Sequence, residues 1–142
     1  MTALALSDAL KDVRLNGIGN AGAGINFDSG ILEIRTGAAP GPNAAATGTV
    51  LATITLPADA FAAASGGAMA KSGTWQDASA DATGIAAHFR LRQSGDSNGA
   101  TGSTDERIEG TCGQGSGDLD LDNTSIATGQ QVTISTFTLN EP

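Results

Sequence analysis

The sequence is poor in the residues that most disulfide, zinc and nucleic-acid sites require. One cysteine, Cys112, and one histidine, His88, allow no intrachain disulfide and cannot supply the four nitrogen and sulfur ligands of a structural zinc site. Lys and Arg number 7 against 15 Asp and Glu, and the basic side chains are scattered along the chain. This predicts no direct binding to nucleic acid, because such binding needs a basic patch. We expect neither a metal nor an organic cofactor.

Long apolar runs and aromatic side chains are also scarce. No stretch approaches the roughly 20 apolar residues of a membrane span, and the first ten residues lack the basic region of a signal peptide. The chain has no tyrosine, 1 tryptophan and 4 phenylalanines, but 20 glycines. We therefore expect no membrane partner. We also expect a thin core that gains part of its burial from contacts with partner proteins.

Apolar and polar side chains alternate with a period of two in residues 50–56, 84–92 and 131–139. The best segment, residues 84–92, puts Ile85 and Phe89 on an apolar face. With turn-forming residues between such segments, the sequence predicts about seven or eight short strands. The predicted fold is all-β, a two-sheet sandwich of jelly-roll or similar Greek-key type.

The last segment contains a change of phase. Val132 and Ile134 share one face, whereas Phe137 and Leu139 lie on the other. A β-bulge near residues 135–136 would return them to one face. We expect Phe137 to join a core made with the other predicted inward residues, which are Ile54, Phe89, Leu91, Val132 and Ile134.

The N-terminal part has a different pattern. Ser7 is a candidate N-cap for a short helix over residues 8–15, followed by a glycine-rich connector over residues 16–24. We therefore divide the chain into an N-terminal helix and arm, residues 1–29, and a β-sandwich domain, residues 30–142. The apolar side chains of residues 1–29 are expected either to bind a partner or to pack under the sheet.

No group of residues forms a catalytic motif. His88 lies on the polar face of its strand without an acid or nucleophile nearby in sequence, which favours a surface or interface side chain. Cys112 is predicted to be a small buried side chain. Asp118, Asp120 and Asp122 share a strand face at a spacing of roughly 7 Å, too far for one Ca²⁺ without a loop ligand. We expect a solvated acidic face, with calcium binding as the alternative, and no enzyme activity.

The candidate partner-binding residues come from two places. Arg90 and Arg92 lie two apart on a face predicted to be exposed, where they would pair with carboxylates across the sheet or across a subunit contact. The N-terminal arm completes the set, which is Leu4, Leu6, Leu10, Val13, Arg90 and Arg92. Trp75 is the aromatic side chain left for stacking on a sugar.

From about residue 30 onward, the chain resembles small virion proteins of tailed bacteriophages. The segments that carry the resemblance are Leu32-Glu33-Ile34-Arg35-Thr36-Gly37, Pro40, Thr47-Gly48-Thr49-Val50-Leu51-Ala52, Ala82-Thr83-Gly84-Ile85-Ala86-Ala87-His88-Phe89-Arg90, Gly117-Asp118-Leu119 and Ile126-Ala127-Thr128-Gly129. The resemblance implies a structural protein, and the nearest functional group is the jelly-roll cement proteins that decorate phage capsids.

That resemblance carries further expectations. The partners would be the major capsid protein and further copies of this chain in a homo-oligomer, and the location would be the virion. The protein would stabilise an assembled head by bridging capsid subunits. Two alternatives remain open: a tail or baseplate structural protein, and a carbohydrate-binding β-sandwich on a receptor-binding appendage.

Overall fold

The structure is a computed structural model that describes residues 5–19, 27–100 and 106–140. Within these ranges the chain forms one helix and eleven short strands. They are α1 (Asp8–Gly19), β1 (Ile31–Arg35), β2 (Val50–Thr55), β3 (Ala68–Ala70), β4 (Trp75–Asp77), β5 (Gly84–Ile85), β6 (His88–Arg92), β7 (Arg107–Gly113), β8 (Leu119–Asp120), β9 (Ser125–Ile126), β10 (Val132–Ile134) and β11 (Thr138–Asn140). The expected all-β class is confirmed, with more and shorter strands than predicted.

The largest element is a five-stranded sheet in the order β2-β1-β6-β7-β8. Its strands pair in antiparallel fashion except β8, which runs parallel to β7. Leu32 of β1 lies opposite Ile54 and Leu91, and all three side chains are buried. Alternation of side chains across these strands therefore gives the sheet one apolar face. The remaining strands form three two-stranded ladders, β4–β10, β3–β11 and β5–β9.

The predicted strand over residues 84–92 is interrupted at residues 86–87. β5 pairs with β9, whereas β6 pairs with β1 and β7. The interruption shifts the face of the chain, so that Ile85 is 60% exposed and Ala86 is buried. The predicted inward position of Ile85 is therefore wrong, although Phe89 and Leu91 are buried as expected.

The phase change near the C-terminus is resolved by a change of partner strand. β10 pairs with β4 and β11 pairs with β3, with residues 135–137 between them. Val132, Ile134 and Phe137 are all buried. The three side chains thus share the core as predicted, but the chain leaves one ladder for another where we predicted a bulge.

An aromatic cluster connects the five-stranded sheet to two ladders. The ring of Phe137 lies 5.6 Å from that of Phe89 in β6 and 5.6 Å from that of Trp75 in β4, centroid to centroid. Phe61 contacts Trp75 edge-on at 5.3 Å. All six side chains predicted for the core are buried, namely Ile54, Phe89, Leu91, Val132, Ile134 and Phe137.

The N-cap prediction for α1 is confirmed. The hydroxyl of Ser7 accepts a hydrogen bond from the amide of Leu10 at 3.3 Å, which satisfies one of the unpaired donors at the helix start. The helix continues to Gly19, beyond the predicted end at residue 15. Residues 16–19, which we placed in the glycine-rich connector, are thus helical, and residues 20–26 lie outside the described residues.

α1 is docked onto the β part of the chain. Leu15 is 2% exposed and belongs to the core. Polar side chains on either side of it fix the helix: Asp12 Oδ1 accepts from the amide of Gly67 at 2.7 Å, and Asn16 Oδ1 from the amide of Ala64 at 2.8 Å. α1 therefore packs against the β part of the chain. Of the two alternatives for the apolar side chains of the N-terminal part, contact with a partner or packing under the sheet, Leu15 takes the second.

Candidate functional site

Arg90 lies on the polar face of the five-stranded sheet, and its side chain has no exposed surface. β6 places it opposite Glu109 of β7, whose Oε1 accepts a hydrogen bond from Arg90 Nε at 2.7 Å. Arg90 Nη2 donates to the carbonyls of Gly41 and Ala44 at 3.1 and 2.9 Å, and Nη1 donates to Asn98 Oδ1 at 3.3 Å. Arg90 thus ties two loops to the sheet.

Glu33 is the second centre of this polar face. Arg35, two residues along β1, donates to Glu33 Oε2 at 2.9 Å, and Arg92 of β6 donates to Oε1 at 2.9 Å. The amide of Asn98 reaches both carboxylate oxygens at 2.9 Å. A carboxylate that accepts from two guanidinium groups and an amide is fully hydrogen-bonded despite its burial.

A third pair joins β7 to the loop that follows β6. Arg107 forms an ion pair with Asp96, with Nη2 2.6 Å from Oδ1. Arg107 Nη1 also donates to the carbonyls of Pro42 and Ala44 at 3.0 and 3.2 Å. The loops over residues 36–49 and 93–100 are therefore fixed onto the sheet by charged groups, which we call the buried charge network. Its members are Glu33, Arg35, Arg90, Arg92, Asp96, Asn98, Arg107 and Glu109.

Arg90 and Arg92 do not occupy the exposed face predicted for them. Both pair with carboxylates of neighbouring strands, the across-sheet use that the sequence left open. The expectation of an exposed face is wrong because the two loops fold back over it. The structure therefore offers no surface at Arg90 for a partner to contact.

His88 is also buried, at 1% exposure, where we expected a surface or interface side chain. Its Nδ1 lies 2.7 Å from the carbonyl oxygen of Gly37. Within the described residues, Nε2 has no hydrogen-bond partner. The carbonyl of Gly37 fixes the ring under the loop between β1 and β2, so the side chain serves the loop rather than the surface.

The network lowers the pKa values of Glu33 and Asp96. Burial alone would raise the pKa of Glu33, but hydrogen bonds from Arg92, Asn98 and Arg35 outweigh it and lower the pKa below 4.5. The hydrogen bond from Arg107 holds the pKa of Asp96 below 3.8, against the opposing effect of burial. Both groups therefore stay ionised in the folded protein at pH values where free carboxyls take up protons.

This leads to a prediction for stability in acid. The folded protein binds fewer protons than the unfolded chain, so the contribution of Glu33 and Asp96 is complete above their unfolded pKa values and is lost as the pH falls through the lower folded ones. We expect the free energy of unfolding, measured with urea, to decline below about pH 5. The variant Glu33→Gln should decline less steeply; an equal slope in the variant would exclude Glu33 as a cause.

Cys112 is half-buried on β7. Burial, with a smaller contribution from the charge of Asp118, raises the pKa of its thiol to about 12. The thiolate is the reactive form of cysteine, so this side chain is protonated and unreactive at neutral pH. Its placement agrees with the predicted packing role.

Two of the three clustered aspartates bind main-chain or hydroxyl groups of their own turn. Asp118 Oδ2 accepts from the amide and hydroxyl of Thr111 at 2.9 and 3.0 Å, and Asp120 Oδ1 from the amide of Gly115 at 2.6 Å. In the described ranges, no three His, Cys, Asp or Glu side chains are arranged to hold a metal ion. The arrangement gives the calcium alternative no support.

Trp75 is fully buried, and its indole Nε1 donates to the carbonyl of Ser72 at 3.1 Å. Its ring packs against Phe61 and Phe137. The expectation that Trp75 is available to stack on a sugar is therefore wrong. The alternative of a carbohydrate-binding site loses the aromatic side chain on which it depended.

The surface feature that remains is the outward side of α1. Leu10 is 47% exposed and Val13 is 68% exposed, while Leu15 on the inner side is buried. Leu6, the predicted arm residue just before the helix, is half-buried. We call Leu10 and Val13 the helix stripe. Leu4, the fourth predicted arm residue, lies outside the described residues.

No protein-family model, curated protein or solved structure matches the chain. The helix that the structure describes is neither long nor apolar enough to cross a membrane. The geometry of the helix stripe and the buried charge network is therefore what bears on function.

Proposed function

We propose that this protein is a structural component of a tailed-phage virion that decorates the assembled capsid and bridges neighbouring capsid subunits. The observation that carries the proposal is the helix stripe: Leu10 and Val13 point outward from a helix whose other side is anchored in the core by Leu15. Exposed apolar side chains grouped on one element are typical of a protein contact. The resemblance of residues 30 onward to phage virion proteins supplies the kind of partner.

The anchoring of α1 suits a docking element. Asp12 and Asn16 bind main-chain amides of the segment before β3, so the helix is held at two points along its length. A stripe on an anchored helix loses little conformational entropy when it binds. We take the β part, in a jelly-roll or similar sandwich arrangement, to be the scaffold that presents it.

The buried charge network suits the same role. It holds the two long loops against the sheet through Arg90 and Arg107, each of which binds loop carbonyls as well as a carboxylate. A protein that bridges subunits has to resist forces that pull it apart, and fixed loops remove the easiest sites of local opening. Bridging also strengthens the overall binding, because once one contact has formed, a second contact on the same particle forms at high effective concentration.

We expect the double variant Leu10→Asp with Val13→Asp to bind assembled capsids at least about tenfold more weakly. Burying a leucine or valine side chain stabilises a complex by about 1.5–3 kcal/mol, and ~1.4 kcal/mol corresponds to tenfold in affinity. Co-sedimentation of the protein with capsids that lack it measures the effect. Both side chains are exposed in the free protein, so its melting temperature should stay unchanged.

Ile85→Asp is the matched control, since Ile85 is equally exposed but lies far along the chain in β5. It should bind capsids like the original protein. Full binding by the double variant would refute docking through α1. Removal of residues 1–20 is a poorer test, because it also removes Leu15 from the core.

A further inference from the structure

The loop between β1 and β2, residues 36–49, turns its main-chain carbonyls toward the sheet. Nδ1 of His88 lies 2.7 Å from the carbonyl oxygen of Gly37. Buried arginines donate to five further carbonyls at 2.9–3.3 Å, namely those of Gly41, Pro42, Ala44, Thr47 and Gly48. A surface loop ordinarily leaves such groups to water, whereas this loop takes its hydrogen-bonding partners from the protein.

Main-chain amides of the loop are bound as well. The amide of Gly41 donates to Glu109 Oε2 at 3.0 Å, and the amide of Ala46 donates to the carbonyl of Asn98 at 3.0 Å. Gly48 has a φ of 75°, and a Cβ at this position would collide with the carbonyl oxygen of Thr36. The loop is therefore held in one shape along most of its length.

The side chains of the loop face the solvent instead. Ala38, Ala39, Pro42 and Ala45 are exposed, and residues 36–49 contain no charged side chain. The three arginines beneath the loop are at most 9% exposed in their side chains. A chain with a net charge of −8 thus presents a fixed, uncharged surface here. We call Ala38, Ala39, Pro42 and Ala45 the loop platform.

The loop platform and the helix stripe lie on opposite sides of the five-stranded sheet. Arg90 and the loop above it occupy the polar face, whereas Phe89 belongs to the apolar face and meets Phe137. Phe137 precedes β11, which pairs with β3, and α1 is bound just before β3 through Asp12 and Asn16. The order of layers is therefore loop, sheet, ladder and helix, and the outward side of α1 points away from the loop.

We propose that the loop platform is the second capsid contact, and that it binds an uncharged, apolar surface on the subunit next to the one held by the helix stripe. This inference rests on the proposed function, because a bridge needs two contacts on different subunits. The opposite placement of the two surfaces meets that requirement. A fixed loop also loses little conformational entropy when it binds.

The chemistry of the loop platform decides which kind of surface it fits. Its carbonyls are already bound from below, and it carries no charge with which to attract a basic or an acidic group. What remains to offer a partner is the apolar surface of alanine and proline side chains, and grouped apolar side chains on a protein surface are typical of a protein contact. The exposed aspartates elsewhere on the chain, such as Asp59 and Asp122, would meet a basic partner better.

The double variant Ala39→Asp with Ala45→Asp tests the contact. Both alanines are exposed, so the melting temperature of the free protein should stay unchanged. We expect binding to capsids that lack the protein, measured by co-sedimentation, to weaken at least about tenfold, because one of two linked contacts is lost. At saturating concentration, copies held by the helix stripe alone join no two subunits. The temperature at which capsids release DNA, followed with a fluorescent dye, should then fall to that of undecorated capsids.

Ala78→Asp with Ala127→Asp is the matched control, since it adds the same charge at two exposed alanines outside the loop. It should bind and stabilise capsids like the original protein. Ala39→Lys with Ala45→Lys should show the same loss as the aspartate pair, because an apolar contact disfavours either charge. Tighter binding by the lysine pair would indicate an acidic partner surface and overturn the proposed chemistry.

The remaining outcomes separate this inference from the proposed function. If the original protein decorates capsids and the aspartate pair at residues 39 and 45 stabilises them equally well, the loop platform is not a contact, and the helix stripe is unaffected. If that pair instead lowers self-association in sedimentation velocity and still stabilises capsids, the loop binds a second copy and the inference is wrong. Failure of the original protein to bind capsids would overturn the proposed function and this inference together.

Discussion

Replacement of Glu109 by alanine is expected to lower the free energy of unfolding by about 3–5 kcal/mol. The side chains of Arg90 and Glu109 are 0% and 4% exposed, so the change leaves a guanidinium charge buried without its carboxylate. The amide of Gly41, which donates to Glu109 Oε2 at 3.0 Å, also loses its acceptor. Urea unfolding at neutral pH measures the loss.

The double variant Arg90→Leu with Glu109→Leu provides the comparison. It removes both charges together, and such replacements of buried pairs cost far less than loss of one partner. We expect it to be more stable than Glu109→Ala, although the carbonyls of Gly41 and Ala44 lose a donor. If Glu109→Ala lowers the free energy of unfolding by less than about 1 kcal/mol, water reaches Arg90, and the network does not fix the two loops onto the sheet.

Replacement of Phe89 by alanine is the second large effect, at about 3–5 kcal/mol. Phe89 is buried and meets Phe137 edge-to-face at 5.6 Å, which adds to the apolar burial. Gly110 on β7 leaves room for the ring, because a Cβ there would come within 2.7 Å of Phe89 Cε1. The lost ring is therefore not replaced by its neighbours, and a cavity remains.

Ile85→Ala is the matched control for this prediction. Ile85 has the same place as Phe89 in the two-residue alternation but is 60% exposed, so its loss should cost less than about 0.5 kcal/mol. Urea titrations of both variants separate the two positions. Equal losses would mean that the chain does not change face at residues 86–87.

Strand positions were predictable from the sequence where each strand has one apolar face. The alternation in the segments of β2 and β6 identified Ile54 and Phe89 as inward, since burial on one side of a sheet imposes a period of two. It failed at Ile85, because a short interruption changes the face without changing the alternation. The alternation also predicted one strand near the C-terminus, where the structure has two strands, β10 and β11, that belong to different ladders.

Of the buried charge network, only the pairing of Arg90 and Arg92 with carboxylates was predicted, as one of two alternatives, although more of its signal is visible in the sequence. Glu33 with Arg35, Arg90 with Arg92, and Arg107 with Glu109 each lie two residues apart. Such pairs place charges on one face of three strands that prove to be neighbours. The sequence does not reveal strand order, nor that two loops cover this face, so an exposed face was the natural expectation.

The N-terminal part shows a similar limit. The cap at Ser7 was predictable from local chemistry, but the helix end was not, because Asn16 and Ile18 are held by tertiary contacts. The same contacts decide that Leu15 is buried while Leu10 and Val13 are exposed. Which apolar residues of an arm face a partner depends on how the arm docks, and only the structure supplies that.

Immunogold labelling of intact virions tests the proposed function most directly. Particles of the phage that encodes the chain would be labelled with antibody to the β part and imaged by negative-stain electron microscopy. A decoration protein predicts gold distributed over the heads, and its loss from heads when the chain carries Leu10→Asp and Val13→Asp. Gold confined to tails would contradict the capsid assignment in favour of a tail position, and unlabelled particles would contradict a place in the virion.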